Sequence, residues 1–125
     1  MQKLNVLIVD DNLAFLKAAS ELIAELPRVS RVDCANSGAE ALARIDRLVP
    51  DLVMTDLVMP EMSGFELIRR LRAMDSPPRV MAVSLHDGAE YRAAVLRSGA
   101  DGLVSKREFS ATAPDVIAAM AGMGG

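Results

Sequence analysis

Two hydrophobic patterns alternate along this chain, and together they predict its secondary structure. Short runs rich in β-branched residues predict buried strands, whereas apolar residues three and four positions apart predict amphipathic helices. A helical pattern follows each apolar run, so the chain consists of five strand-then-helix units. The predicted strands are residues 4–9, 29–34, 52–54, 80–83 and 103–104.

The helices are expected to begin and end at residues with known capping or breaking behaviour. Ser37 and Ser63 are good N-caps for the second and third helices, and Pro27 is expected to end the first. The last helix is predicted over 113–120, with Pro114 in its first turn, where a missing N–H costs little. The residues expected to face inward on the first three helices are Leu16, Ala19, Ile23, Leu26, Leu42, Ile45, Val49, Leu67, Leu71 and Met74.

Five alternating strand and helix units predict an α/β fold with a parallel sheet covered by helices on both faces. The first, third and fourth strands are continuously apolar, as strands buried on both faces are. At 125 residues the chain is expected to form one domain spanning 1–125. The glycine-rich end from about residue 122 is interpreted as a frayed terminus or the start of a linker.

Composition and charge narrow the classes of protein without identifying one. The chain is 51% hydrophobic and 25% charged, with a net charge of −3. This mildly acidic balance gives no reason to expect direct contact with nucleic acid or with an anionic membrane. The longest apolar runs are too short to span a bilayer, and the N-terminus shows no signal-peptide pattern. A single cysteine, Cys34, fits a reducing compartment, so we expect a cytoplasmic protein.

Polar residues follow four of the five predicted strands. Asp10 and Asp11 follow the first, Asp56 the third, Ser84 the fourth and Lys106 the fifth. In an open α/β sheet the functional site lies outside the carboxyl ends of the strands. Each of these residues alone has an ordinary role at a strand end or a helix start, but their common location predicts a shared site.

This set of residues suits phosphoryl transfer. Carboxylates crowded together raise one another's pKa unless a cation is present, and hard oxygen ligands with room for water suit Mg²⁺. A carboxylate can act as a nucleophile on phosphorus, giving an aspartyl phosphate. Phosphoryl transfer then needs mainly positioning and charge neutralisation, which a divalent metal and an ammonium group can supply.

Three segments resemble the receiver domain of response regulators in two-component signalling. They are residues 7–11 (LIVDD), 51–64 (DLVMTDLVMPEMSG) and 98–106 (SGADGLVSK). The resemblance covers essentially the whole chain, and its most specific part is the aspartate followed by Met-Pro and then Gly. It implies a flavodoxin-like, doubly wound (βα)5 fold with a five-stranded parallel sheet.

The resemblance also implies roles for the site residues. Asp56 would be the phosphoacceptor. Asp11 would bind Mg²⁺ directly and Asp10 mostly through water, with Asp56 and the backbone carbonyl of Val58 completing the protein ligands. Ser84 would be the hydroxyl that responds to the phosphoryl group, and Lys106 would pair with that group.

The implied partners are those of a signalling module rather than of a metabolic enzyme. A phosphohistidine on a sensor histidine kinase or phosphotransfer protein, or a small acyl phosphate, would supply the phosphoryl group. The fourth helix, fifth strand and fifth helix would then bind an output domain or target protein, or form a phosphorylation-dependent homodimer. Self-catalysed phosphotransfer and autodephosphorylation would be the only chemistry.

Three positions depart from the family pattern. Leu103 stands where an aromatic residue is common, Leu85 where a small residue is usual, and Arg107 where proline is common. With an arginine at this position, the chain resembles receivers that are attached to LuxR-type DNA-binding domains. These departures leave open a degenerate receiver that acts as a phosphorylation-independent interaction module.

Two enzyme-like alternatives fit less well. Hydrolases that form an aspartyl phosphate on related folds place the nucleophile after the first strand, with a second carboxylate two residues on. Here that segment reads Asp10-Asp11-Asn12. Dinucleotide or flavin binding lacks a glycine-rich phosphate loop after the first strand.

Overall fold

The computed structural model describes residues 3–123 and contains one five-stranded sheet with five α-helices in the described chain. The strands are β1 Leu4–Val9, β2 Val29–Ala35, β3 Leu52–Asp56, β4 Arg79–Ser84 and β5 Gly102–Ser105. The helices are α1 Leu13–Ala24, α2 Gly38–Leu48, α3 Gly64–Arg72, α4 Ala89–Ser98 and α5 Phe109–Met123, with a 3₁₀ turn Lys106–Glu108 before α5. The predicted order of strands and helices is confirmed.

All strand pairs are parallel, and the spatial order is β2-β1-β3-β4-β5. The chain therefore builds outward from β1 to one edge and then crosses to build outward in the other direction. This confirms the doubly wound arrangement, whose reversal point lies between β1 and β3. β2 is an edge strand with an exposed middle, whereas β1, β3 and β4 are almost wholly buried.

Alternation along the strands divides the core between the two faces of the sheet. In β1, Val6 and Ile8 pack with α1 and α5, whereas Leu7 and Val9 pack with α2, α3 and α4. Successive strand side chains point to opposite faces, so a strand covered on both sides must be apolar throughout. No helix within residues 3–123 is both long and apolar enough to cross a bilayer.

The predicted N-caps are confirmed, but one inward-facing position, Val49, and the end of α1 differ from the prediction. Ser37 and Ser63 accept hydrogen bonds from the backbone N–H groups of Glu40 and Glu66, respectively. Val49 was expected to be buried, yet it is 66% exposed, because it caps α2 in a left-handed conformation with φ 46° and its side chain leaves the helical face. Leu26 packs against the core from beyond α1, which ends at Ala24 rather than at the proline.

The prediction for the last helix was wrong at its start. α5 begins at Phe109 because the 3₁₀ turn runs directly into it and the buried Phe109 ring anchors its first turn. Pro114 is therefore the sixth residue of the helix, not part of its first turn. Its missing N–H leaves the carbonyl of Ser110 without an intrahelical donor, and Ser110 is exposed, so water can reach that carbonyl.

Candidate functional site

The residues predicted to share a site do lie at one edge of the sheet. Asp10 directly follows β1, Asp56 and Ser84 are the last residues of β3 and β4, and Lys106 directly follows β5. The parallel register pairs Ser84 with Ser105, so the ends of β4 and β5 are level. Because parallel strands present their carboxyl ends at the same edge, their side chains converge there.

Three carboxylates form a compact cluster in this site. One carboxylate oxygen from each of Asp10, Asp11 and Asp56 lies within 4.8 Å of the others. Asp10 and Asp56 are buried and Asp11 is exposed, so the cluster opens to solvent on one side. An all-oxygen donor set that retains access to water fits Mg²⁺, which keeps several waters when bound to proteins.

Asp10 has one satisfied oxygen and one that is available for a cation. Its Oδ1 accepts a hydrogen bond from the backbone N–H of Asn12 at 2.9 Å. Its Oδ2 is buried and forms a close ion pair with Lys106 Nζ at 2.7 Å. A carboxylate offers about four lone-pair sites, so Asp10 can keep its pair with Lys106 and still contribute an oxygen to a metal.

Asp56 is held in an environment that disfavours its charge. It is 8% exposed, its Oδ1 accepts from the backbone N–H of Leu57 at 2.9 Å, and its Oδ2 lies 3.5 Å from Lys106 Nζ. Burial, followed by repulsion from Asp10, raises the pKa of Asp56 above its ordinary value of 3.8, and the Lys106 ammonium opposes that rise. An added cation would offset both the cost of burying the Asp56 charge and the repulsion from Asp10.

The backbone around Asp56 is fixed by the start of α3. The N–H of Gly64 donates to the carbonyl of Leu57 at 2.8 Å, and the hydroxyl of Thr55 donates to the carbonyl of Asp56 at 2.9 Å. A Cβ at position 64 would lie only 2.0 Å from that Asp56 carbonyl oxygen. Only glycine permits this approach, which explains the glycine eight residues after Asp56.

Lys106 lies closer to Asp10 than to the predicted phosphoacceptor. Its ammonium also lies 4.7 Å from the centre of the Phe15 ring, and that ring contacts Phe109 edge-on at 5.3 Å. The cation–π contact holds the lysine over the site. Phe15 was missed from the sequence, where the only signal was an aromatic residue one helical turn after the acidic pair.

Ser84 lines a small cavity beside Asp56. This cavity of about 240 Å³ is lined by Asp56, Val58, Ser84, Leu85, His86 and Lys106. Ser84 is 1% exposed, and its Oγ accepts from the backbone N–H of His86 at 3.0 Å. All predicted catalytic residues therefore lie against one space beside the nucleophile candidate, with the exposed Leu85 and Val58 side chains at its rim.

A doubly wound sheet with an acidic cluster and a lysine at its carboxyl edge defines a class of small α/β modules, and sequence comparison gives the family. Residues 6–118 match the response regulator receiver domain. The chain belongs to this family, and its fold and function class are those of receiver domains in two-component signalling.

Curated relatives place this domain in longer proteins. The chain is 37% identical over 107 residues to a protein-glutamate methylesterase/protein-glutamine glutaminase of Geobacillus kaustophilus, covering 85% of this chain and 31% of the relative. It is also 37% identical over 103 residues to a putative transcriptional regulator of Pseudomonas aeruginosa, covering 82% of this chain and 49% of the relative. The chain thus spans 31% of the length of the first relative and 49% of the second.

Solved structures agree on the fold. The signal receiver domain of the putative response regulator NarL from Mycobacterium tuberculosis superposes with a TM-score of 0.84 at 26% identity, covering 98% of both chains. A LuxR-family two-component response regulator from Aurantimonas sp. superposes with a TM-score of 0.89 at 26% identity, covering 98% of this chain and 87% of the other.

Proposed function

We propose that Asp56 is the phosphoacceptor of this receiver domain and that the site works with Mg²⁺. The observation that carries this proposal is that the Asp56 carboxylate lies within ion-pair distance of the Lys106 ammonium and within 4.8 Å of the Asp10 and Asp11 carboxylates, with an open cavity beside it. The carboxylate is buried enough to be poorly hydrated, yet one side remains accessible to a phosphoryl donor.

Asp10, Asp11 and Asp56 would hold the metal, together with the backbone carbonyl of Val58. The support for this assignment is the short separation of the three carboxylates, two of which are buried while the third opens to solvent. When bound, Mg²⁺ supplies charge neutralisation for the crowded carboxylates and for the phosphoryl oxygens. Asp11 is the exposed member of the three and would hold the metal on the side that is open to solvent.

In the transfer step an Asp56 carboxylate oxygen attacks phosphorus, and a new O–P bond forms. The P–N bond of a phosphohistidine donor breaks, and its electron pair leaves with the imidazole; with acetyl phosphate, acetate is the leaving group. The Lys106 ammonium neutralises charge on the transferred group, and the Ser84 hydroxyl donates to one of its oxygens. Hydrolysis of the acyl phosphate returns the free carboxylate.

The product of this reaction is a changed binding surface rather than a released metabolite. We propose that phosphorylation shifts an equilibrium between two conformers, which an output domain or target protein distinguishes through α4, β5 and α5. The donor would be a sensor histidine kinase or a phosphotransfer protein in the cytoplasm. Within this domain we assign no external substrate, no direct nucleic-acid contact and no membrane contact. A phosphorylation-dependent homodimer is one form that the output can take.

One observation favours a second candidate function. Leu103 is buried beside α4, where an aromatic residue is common in the family, and a leucine cannot give the same inward and outward signal when the Ser84 hydroxyl moves. A receiver without such a link can act as a constitutive interaction module. That candidate predicts partner binding that does not change when Asp56 is substituted.

Intact-mass measurement after incubation with acetyl phosphate and Mg²⁺ tests the proposal. A gain of roughly 80 Da is expected for the wild type as one phosphoryl group forms an acyl phosphate with Asp56. The Asp56→Asn variant and an EDTA-treated sample should show no gain. If the wild type also fails to gain mass with a cognate kinase as donor and shows no beryllofluoride binding by fluorine NMR, the interaction-module candidate replaces the phosphoacceptor.

Lys106→Ala separates the role of the ammonium from that of the metal ligands. Because Asp10, Asp11 and Asp56 are retained, Mg²⁺ affinity should stay within a few-fold of the wild type, whereas the response to phosphorylation should weaken. Calorimetric titration with Mg²⁺ measures the first and partner binding the second. A collapse of Mg²⁺ affinity in this variant would contradict the assigned role.

A further inference from the structure

The β4–α4 segment contains an aromatic contact that the proposed mechanism does not use. The rings of His86 and Tyr91 are stacked, with centres 5.0 Å apart and planes 15° from parallel. His86 lies in the loop beside the site, and Tyr91 lies in the first turn of α4. The stack therefore joins the loop at the phosphorylation site to the helix that follows it.

The same loop residue is tied to Ser84. The backbone N–H of His86 donates to Ser84 Oγ at 3.0 Å, and Ser84 is almost fully buried. A continuous path therefore runs from Ser84 to Tyr91. It consists of the hydrogen bond from the His86 backbone to Ser84, the His86 residue itself, and the stack of its ring on Tyr91. Tyr91 is half-buried and packs against the core beneath α4, so the path ends on the helix and not in solvent.

The helix at the end of this path is lightly held. Val95 is the one buried residue that α4 contributes to the core, and its N-cap, Gly88, makes no side-chain capping hydrogen bond. The hydrogen bond that links α4 to β5, donated by Arg92 Nη1 to the carbonyl of Leu103, is long at 3.4 Å. A helix with few buried contacts opens and shifts at low free-energy cost.

We propose that Tyr91 is a positioning residue that acts through His86 on Ser84, and that this stack couples the phosphorylation site to α4. The inference rests on the proposed function, since it requires a phosphoryl group at Asp56. A phosphoryl oxygen there attracts the Ser84 hydroxyl proton. When the Ser84 side chain rotates about χ1 to bring its hydroxyl to that oxygen, Oγ, the acceptor that His86 N–H now uses, moves with it. The loop follows, and the stacked rings carry the displacement to α4.

The sequence offers a direct probe, because Tyr91 is the single tyrosine and the chain has no tryptophan. Tyrosine emission and the amide NMR shifts of α4 are measured with Mg²⁺ alone and after adding beryllofluoride, whose binding is followed separately by fluorine NMR. The variants are His86→Ala, which removes the ring but keeps the N–H, and His86→Phe, which keeps a ring. Tyr91→Leu and Tyr91→Phe form the corresponding pair on α4, and thermal melts verify that each variant is folded.

In the wild type, beryllofluoride should change the Tyr91 emission and shift the α4 amides. His86→Ala should lose most of the emission change, and Tyr91→Leu most of the α4 shifts, while both variants still bind beryllofluoride. The two phenylalanine variants should retain the α4 shifts. Full α4 shifts in Tyr91→Leu, or equal losses in the Ala and Phe variants of His86, would overturn the coupling role while leaving the proposed function intact. A wild type that binds no beryllofluoride would overturn both.

Discussion

The neighbouring helices α3 and α4 cover the same face of the sheet but are held there very differently. α3 buries Gly64, Leu67, Ile68 and Leu71 and is capped by the Ser63 side chain, whereas α4 buries one residue and has an uncapped start. A Cβ on Gly64 would collide with the backbone of β3, whereas a Cβ on Gly88 would meet nothing within 4 Å. One helix is fixed against the nucleophile candidate, and the other is free to respond.

This difference separates two requirements of a phosphorylation switch. The reacting carboxylate must stay in place, because small displacements of a reacting group slow transfer steeply. The reporting surface must have a second accessible arrangement, because a signal requires two populated states. The chain meets the first requirement with dense packing after β3 and the second with sparse packing after β4.

The largest effect is expected where α3 approaches β3. Gly64→Ala forces the backbone of Asp56 or the start of α3 to move, so we expect a loss of about 3 kcal/mol or more in the free energy of unfolding. Gly88→Ala is the matched control and should change that free energy by no more than about 0.5 kcal/mol. Urea unfolding measures both. Equal effects would show that the two helix starts are equally constrained.

A difference of similar or smaller size is expected from truncating one leucine on each helix. Leu71 is fully buried and Leu96 is 58% exposed. Leu71→Ala should lower the free energy of unfolding by about 2–5 kcal/mol, whereas Leu96→Ala should change it by about 0.5 kcal/mol or less. Denaturant midpoints at constant m-value provide the comparison. A comparable loss in Leu96→Ala would mean that α4 is packed more firmly than its exposure indicates.

The smallest effect is expected from removing the charge of the Asp56 carboxylate, which the packing between α3 and β3 holds in place. The folded state raises the pKa of Asp56 above 3.8. The folded protein therefore loses stability as the pH rises from 3.8 through the raised pKa, because the carboxyl group must ionise in an unfavourable environment. The loss is complete once the pH exceeds the raised pKa. In EDTA at neutral pH, Asp56→Asn should therefore be more stable than the wild type.

The advantage of Asp56→Asn should shrink as the pH falls and disappear below 3.8, where the carboxyl group is protonated in both states. Thermal melts across this range test the sign. Asp46→Asn removes the same charge from an exposed position on α2 and serves as the control. If Asp56→Asn is less stable than the wild type at neutral pH, the claim that the folded state disfavours the Asp56 charge is contradicted.

Periodicity and strand-end residues were enough to predict the parallel sheet and the shared edge of Asp10, Asp56, Ser84 and Lys106. These features follow from local hydrophobic alternation and from the geometry of parallel strands. The start of α5 could not be predicted in the same way, because Pro114 suggests a helix start that the buried Phe109 overrides. Tertiary burial decided that boundary, and local propensity did not.

Contacts within the site depended on distances that no spacing rule supplies. Lys106 lies nearer to Asp10 than to Asp56, and Phe15 holds it there, although these residues are separated by some ninety positions. The stack of His86 on Tyr91 likewise depends on the loop conformation before α4. Sequence patterns indicate which residues reach the site, whereas packing determines which of them touch.

The most direct test is to locate the phosphoryl group itself. The wild-type chain is incubated with acetyl phosphate and Mg²⁺, the acyl phosphate is reduced with borohydride, and the modified residue is identified by peptide mass spectrometry. Reduction at Asp56, with Asp10 and Asp11 unchanged and no reduced peptide in Asp56→Asn or EDTA samples, is the expected result. Modification at Asp10 or Asp11 instead, or reduction that persists in the Asp56→Asn variant, would contradict Asp56 as the nucleophile.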